Sequence, residues 1–162
     1  MLIETVEKAI KMALNLGADY ADVRAEQIHI TSIRLTNDHF EQAISGLDQG
    51  IGIRALYRGA WGFSSTTLLE PKGCEEAVRN AVKTAKATSK VVREKISLHD
   101  VRPVKDHLEV KVRQPLMQIE IDKKLKLLLH LSKIARGFSP RIVSASLAYE
   151  DVAGHRATAS SD

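Results

Sequence analysis

Residues 49–66 read QGIGIRALYRGAWGFSST. Ile51, Ile53, Ala55 and Tyr57 occur at every second position, the spacing of a strand with one buried face. Arg58-Gly59 is a turn dipeptide, and Ala60 to Thr66, carrying Trp61 and Phe63, reads as the strand that returns. A hairpin here commits the chain to an antiparallel sheet. On its amino-terminal side Gly46-Leu47-Asp48 supplies turn residues, Phe40 to Ser45 reads as a further short strand, and Thr36-Asn37-Asp38-His39 as another turn. Residues 21–35 begin with Ala21, Val23 and Ala25 alternating with charged residues. The apolar phase then moves to Ile28 and Ile30, and again to Ile33 and Leu35. Because a one-residue shift exchanges the faces of a strand, this pattern predicts bulges near Gln27 and near Thr31-Ser32.

Helices flank this meander. In residues 2–16, Leu2, Ile3, Val6, Ala9, Ile10, Ala13 and Leu14 recur at three- and four-residue steps, and Gly17 stands where a left-handed cap belongs. A second helix is predicted from about Pro71 to Ser89, proline being favoured in a first turn, with Cys74, Ala77, Val78, Ala81, Val82 and Ala85 as its apolar stripe. Residues 90–117 are broken by Pro103 and Pro115, with Leu108, Val110 and Val112 alternating as a short strand. A third helix, about Ile119 to Arg136, presents Leu125, Leu128, Leu129, Leu131 and Ile134, and Gly137 ends it. Ile142 to Tyr149 and Arg156 to Ala159 read as two more strands. The fold class is therefore α+β, an antiparallel meander sheet with about three helices packed on it, in a single domain over residues 1–162. The patterned end ATASSD reads as an edge strand awaiting cover, from a partner or from further chain.

Of the 162 residues, 44% are hydrophobic and 27% charged, a balance suited to a globular chain long enough to bury a core without disulfides. One cysteine, Cys74, excludes an internal disulfide and a four-cysteine zinc site. No apolar run reaches the ~18 residues of a membrane span, and MLIETVEKAIKMAL lacks the basic start of a signal peptide. A cytoplasmic protein is expected, without a membrane partner. Charge is uneven: residues 1–82 carry 8 Lys+Arg against 11 Asp+Glu, and residues 83–162 carry 16 against 9. A basic second half makes nucleic-acid binding one reading to weigh. Its basic residues, however, interleave with Leu, Val and Ile as solvated faces do, and no nucleic-acid-binding motif accompanies them. A stand-alone interaction module completed by a partner chain is the other alternative.

Candidate chemistry is sparse. The histidines (His29, His39, His99, His107, His130 and His155) form no HExxH pair. His99-Asp100 with Asp106-His107 is the densest set of metal-type ligands, in a charge-rich stretch that reads as solvated loop. His39 and Glu41 could share a strand face. Cys74 lies on an apolar helix stripe, the setting of a buried, inert thiol. Gly50-Ile51-Gly52 lacks the third glycine and the following helix of a dinucleotide fingerprint. Glycines in a strand instead permit close approach of a neighbouring element or of an extended peptide. No catalytic residue and no metal ligand is assigned.

Three segments in order resemble the amino-terminal domain of the TldD/PmbA family. They are Gly17-Ala18-Asp19-Tyr20-Ala21-Asp22-Val23-Arg24; then Gly50-Ile51-Gly52-Ile53-Arg54, with Gly59 and Gly62-Phe63-Ser64-Ser65-Thr66; then the alanine-rich helix 74–87. Tyr149-Glu150 to Ser160-Ser161-Asp162 resembles the strand leading into that family's second domain. The resemblance implies a cytoplasmic zinc metalloprotease acting on peptides and unfolded segments, in a family some of whose members are named modulators of DNA gyrase. It implies a homo- or heterodimer with an extended peptide as substrate. The family's zinc site is an HExxxH motif and a later cysteine, in which two imidazoles and a thiolate leave one position for water and the Glu serves as base. No HExxxH occurs in this sequence, and Cys74 is in the wrong element to be that ligand. Zinc is thus expected in a second domain and not in this chain, which would be a truncated form or a non-catalytic subunit. Gly50, Gly52, Arg54, Gly62 and Phe63 are the family-signature positions, structural or peptide-lining.

Overall fold

The structure is a computed structural model that describes residues 2–99 and 102–161. Asp100, from the histidine–aspartate pair, and Asp162, from the terminal motif, lie outside the described residues. The chain forms α1 (Leu2–Asn15), β1 (Tyr20–Thr36), β2 (His39–Tyr57), β3 (Ala60–Thr66), α2 (Pro71–Thr88), a 3-10 turn (Leu116–Gln118), α3 (Ile121–Gly137) and β4 (Ser146–Ser160). The strands make one open antiparallel sheet in the order β3-β2-β1-β4. The α+β reading holds, with three helices and a meander.

Two tight turns set the meander. Asn37-Asp38 (φ 50° and 67°) joins β1 to β2, and Arg58-Gly59 (φ 48° and 80°) joins β2 to β3. Two successive positive φ values match the right-handed twist of the flanking strands, which is why such turns close hairpins. From Arg58-Gly59 the register runs Tyr57↔Ala60, Ala55↔Gly62, Arg54↔Phe63, Gly52↔Ser65 and Ile51↔Thr66. Gly17 caps α1 at φ 91°, as the sequence predicts.

The chain divides into two compact units. Unit 1 comprises residues 1–27, 49–107 and 155–162. Its core joins Val6, Ala9, Ile10 and Ala13 of α1 to Cys74, Ala77, Val78, Ala81, Val82 and Ala85 of α2, over Ala21, Val23, Ala25, Ile51, Ile53 and Ala55 of the sheet. Alanine is the commonest residue in this cluster, so backbones rather than long side chains set the spacing. Unit 2 comprises residues 28–48 and 108–154. Ile33, Leu35 and Leu128 are its buried apolar residues, with Leu125, Leu129, Leu147 and Tyr149 packed around them.

Several elements differ from their sequence reading. β1 is one strand whose buried residues keep a single phase, 21, 23 and 25 and then 31, 33 and 35, with Ile28 and Ile30 half-buried on the opposite face. The phase shifts inferred near Gln27 and Thr31-Ser32 are absent because Thr31, a polar residue, occupies the buried position that the apolar count assigned elsewhere. Gly46-Leu47-Asp48 is not a turn: it continues β2, and Gly46 has no positive φ. The two carboxy-terminal strands are one, Ser146–Ser160. Leu108, Val110 and Val112 form no strand. On α3 the buried line is Lys124, Leu128 and Ser132, while Leu131 and Ile134 are exposed. α3 also starts at Ile121 rather than Ile119, after the 3-10 turn.

Candidate functional site

In unit 1 one face of the sheet carries the helices, and residues of the other phase face away from them. Arg54 anchors this second face. Its Nε donates to Asp22 Oδ1 and Oδ2 at 2.9 and 3.0 Å, its Nη2 lies 2.8 Å from Oδ2, and its guanidinium sits 5.0 Å from the Trp61 ring centre. The Asp22 carboxylate raises the Arg54 pKa further above its ordinary value, against the effect of burial. Trp61 receives Tyr20 edge-on, with centroids 5.9 Å apart and an interplanar angle of 81°. Phe63, opposite Arg54, is 61% exposed. The result is a ledge of three rings stiffened by a bidentate, ring-stacked arginine.

Beside the ledge the surface drops. A Cβ at Gly52 would touch the Phe63 ring at 3.5 Å, and one at Gly50 would come within 3.3 Å of the Thr66 carbonyl oxygen. Gln49 lies next to them, accepting from Gln27 at 2.9 Å and donating to the Thr67 carbonyl at 3.3 Å. Farther across the face Arg24 and Arg156 both donate to Glu26 Oε2, at 3.0 and 2.9 Å. Those two hydrogen bonds hold the Glu26 carboxyl below its ordinary pKa.

Four of the five signature positions therefore gather on this face: Gly50, Gly52, Arg54 and Phe63. Gly62 does not. A Cβ there would lie 2.1 Å from the Ala81 carbonyl oxygen and 2.3 Å from the Ala85 nitrogen, so α2 rests directly on the strand at that point. Gly62 serves packing.

Unit 2 holds a polar cluster that the sequence reading missed. Lys124 is buried, and its Nζ lies 2.7 Å from Asp151 Oδ2 and donates to Thr31 Oγ1 at 3.3 Å. Tyr149 OH donates to the same Asp151 oxygen at 2.5 Å, and the ammonium lies 5.7 Å from the Tyr149 ring centre. Thr31 Oγ1 in turn lies 3.3 Å from Ser45 Oγ. Burial pushes the Asp151 carboxyl up, but Lys124 and Tyr149 outweigh it and its pKa falls below the ordinary value. Burial and the neighbouring carboxylate raise the Tyr149 phenol to about 12. Every one of these groups has a partner, so the cluster is built for holding β1, β4 and α3 together. The signal was present: a lysine four residues before Leu128 falls on the buried face of the helix.

Ser132 Oγ and Asp38 Oδ1 are the buried polar atoms without a well-formed hydrogen bond among the described residues. The Ser132 hydroxyl, and after it Arg136 with its bond at 2.6 Å, still lowers the Asp38 pKa against the effect of burial. Cys74 is buried in unit 1, its Sγ 3.7 Å from the Leu68 carbonyl oxygen, and burial raises its pKa. Such a thiol is a poor nucleophile. His39 and Glu41 are both exposed. Among the described residues no three of His, Cys, Asp or Glu come together to hold a metal ion, and no helix is long and apolar enough to cross a membrane.

The arrangement is a helix-backed antiparallel meander with an open, glycine-floored face, and comparison with known proteins shows what it resembles. Residues 21–89 match the family described as PmbA/TldA metallopeptidase domain 1. A metalloprotease of Methanocaldococcus jannaschii is 26% identical over 154 residues, which are 95% of this chain and 33% of that protein. A zinc metalloprotease TldD homolog of Saccharolobus solfataricus is 33% identical over 73 residues, covering 45% of this chain and 16% of the relative. Among solved structures, TldE from Thermococcus kodakarensis superimposes with a TM-score of 0.75 at 19% identity, over 97% of this chain and 35% of that one. A Thermotoga maritima protein described as a modulator of a DNA gyrase gives 0.69 at 16% identity, over 99% and 35%. The chain resembles the amino-terminal domain of the TldD/PmbA family, a likeness that the matched segment and the relatives support and whose fold the solved structures share. It spans about one third of the length of the metalloprotease and of the TldE chain it matches.

Proposed function

We propose that this chain is the wall-forming, non-catalytic part of a cytoplasmic TldD/PmbA-type zinc-dependent peptidase, guiding an extended peptide and contributing dimer contacts. The observation that carries the reading is the face of Gly50, Gly52, Arg54, Trp61 and Phe63. Two glycines leave the sheet low beside the exposed Phe63 ring and the half-buried Trp61, a shape that accepts a main chain with side chains at alternate positions. Zinc chemistry belongs, in this reading, to a second domain that carries the HExxxH motif this sequence lacks.

Trp61 is the single tryptophan of the sequence and sits on the proposed wall, so its fluorescence reports occupancy. Titration with unstructured peptides should shift its emission saturably. Gly52→Val, which fills the trough, should abolish the shift while the far-ultraviolet circular dichroism stays unchanged. An emission that no peptide moves, or a Gly52→Val chain that binds as well as the parent, overturns the wall assignment. Peptide hydrolysis by the chain supplied with zinc alone overturns its non-catalytic part.

A further inference from the structure

The open face of unit 1 carries its charges at two depths. Arg54 pairs with Asp22, and Arg24 and Arg156 both pair with Glu26. In each pair the carboxylate lies deeper than its partner. The Asp22 and Glu26 side chains are 24 and 32% exposed, against 58, 54 and 57% for Arg54, Arg24 and Arg156. Guanidinium is therefore what solvent meets first. The charges also fail to balance, because three arginines meet two carboxylates. The surplus lies at Glu26, where Arg24 of β1 and Arg156 of β4 reach the same oxygen at 3.0 and 2.9 Å. One carboxylate thus holds two like charges side by side, and their exposed forks keep donors for a second anion.

This surplus borders the glycine trough. Asp22 contacts Arg54, and Gln27 contacts Gln49. Between those two contacts β1 carries Arg24 and Glu26, and β2 carries Gly50 and Gly52. The floor therefore has the Phe63 ring on its β3 side and the arginine pair on its β1 side. A main chain lying along it sends alternate side chains to the same side. Arg54 offers no equivalent, since its guanidinium is already bidentate on Asp22 and stacked on Trp61.

We infer that Arg24 and Arg156 form a carboxylate subsite that selects extended peptides carrying a glutamate or aspartate side chain. The ligand carboxylate takes the donors that Glu26 leaves and offsets the repulsion between the two guanidiniums. This rests on the wall reading of the trough and adds the class of peptide the wall prefers.

The test uses the full chain, Trp61 emission and peptides whose termini are acetylated and amidated. A glutamate-containing peptide should bind about fivefold more tightly than its glutamine isostere, and added salt should shrink the difference. Arg24→Gln/Arg156→Gln should remove the preference while the glutamine peptide binds as before; both side chains are exposed, so the fold is retained. Glu26→Gln should act in reverse and strengthen binding of the glutamate peptide about threefold. An arginine pair that only ties β1 to β4 gains nothing from losing its carboxylate. Equal binding of the two peptides, with a saturable Trp61 shift, overturns the subsite and spares the wall. A preference that survives the double substitution, or that Glu26→Gln weakens, also overturns the subsite. A glutamine peptide with a free carboxyl terminus that matches the glutamate peptide would assign the pair to a chain end and exclude side-chain selection. An emission that no peptide moves overturns the wall and the subsite together.

Discussion

Unit 1 closes around alanine, valine and isoleucine, whereas the centre of unit 2 is a lysine bonded to an aspartate. The first core derives from close approach: small side chains let α1 and α2 settle on the sheet, and Gly62 lets α2 touch the strand backbone. The second core specifies by direction. Lys124 accepts only a geometry that brings Asp151 and Thr31 to its ammonium, and Asp151 must also receive Tyr149. An apolar core tolerates repacking, but a buried ion pair tolerates replacement only as a pair. The two units should therefore fail differently.

The largest effect is expected from breaking the pair. Asp151→Ala leaves the Lys124 ammonium buried and uncompensated, and urea denaturation should show a loss of about 3–5 kcal/mol. The double variant Lys124→Met/Asp151→Leu should recover most of it; a double variant as weak as the single would mean the site has no apolar solution. In unit 1, Gly62→Ala should cost about 3 kcal/mol, because the new methyl group meets the backbone of α2 and not a movable side chain. A loss under about 1 kcal/mol would show that α2 can lift off its strand.

Tyr149 gives a smaller and pH-dependent effect. Its folded pKa is raised to about 12, so the neutral phenol is the form the fold favours. That contribution is complete below the ordinary tyrosine pKa of about 10 and disappears as pH climbs from there through 12. Tyr149→Phe should cost about 1 kcal/mol at neutral pH, with the difference from the parent shrinking in that alkaline window. Asp151 acts in the opposite direction: its lowered pKa gives stability above the ordinary carboxylate range that is lost as pH falls through the folded value. Spectrophotometric titration of the phenol and denaturation across pH check both signs. The smallest effect belongs to Arg54→Ala. Its pair with Asp22 is exposed, so stability should fall by no more than about 1 kcal/mol while peptide-induced Trp61 emission changes clearly.

The amino-acid sequence made unit 1 far more legible than unit 2. Regular alternation in residues 51–57, the Arg58-Gly59 turn and the alanine stripe of α2 each carry a period that physical reasoning can read, and the fold there matches. In unit 2 the reading counted hydrophobic residues, and the buried positions include Thr31, Lys124 and Ser132. The burial of Lys124 and Thr31 depends on a contact between residues 93 apart, which no local period reveals. Gly46-Leu47-Asp48 has turn composition but lies within a long strand held by β1 on its other side. Leu108, Val110 and Val112 have strand composition but form no strand and remain exposed. Four signature positions share the open face as one strand phase would suggest, and only the helix resting on Gly62 separates the fifth.

The buried Cys74 has a practical corollary for labelling chemistry. The chain contains one sulfhydryl, and it is withheld from solvent with its ionisation suppressed. Maleimides and spin labels should therefore pass it by in the native state, so a cysteine placed at an exposed position can be tagged uniquely without first altering the parent sequence. Ala43 and Glu109 are both exposed and suit such tags. Distances between paired probes at those two positions can then be read in a protein whose own thiol stays silent.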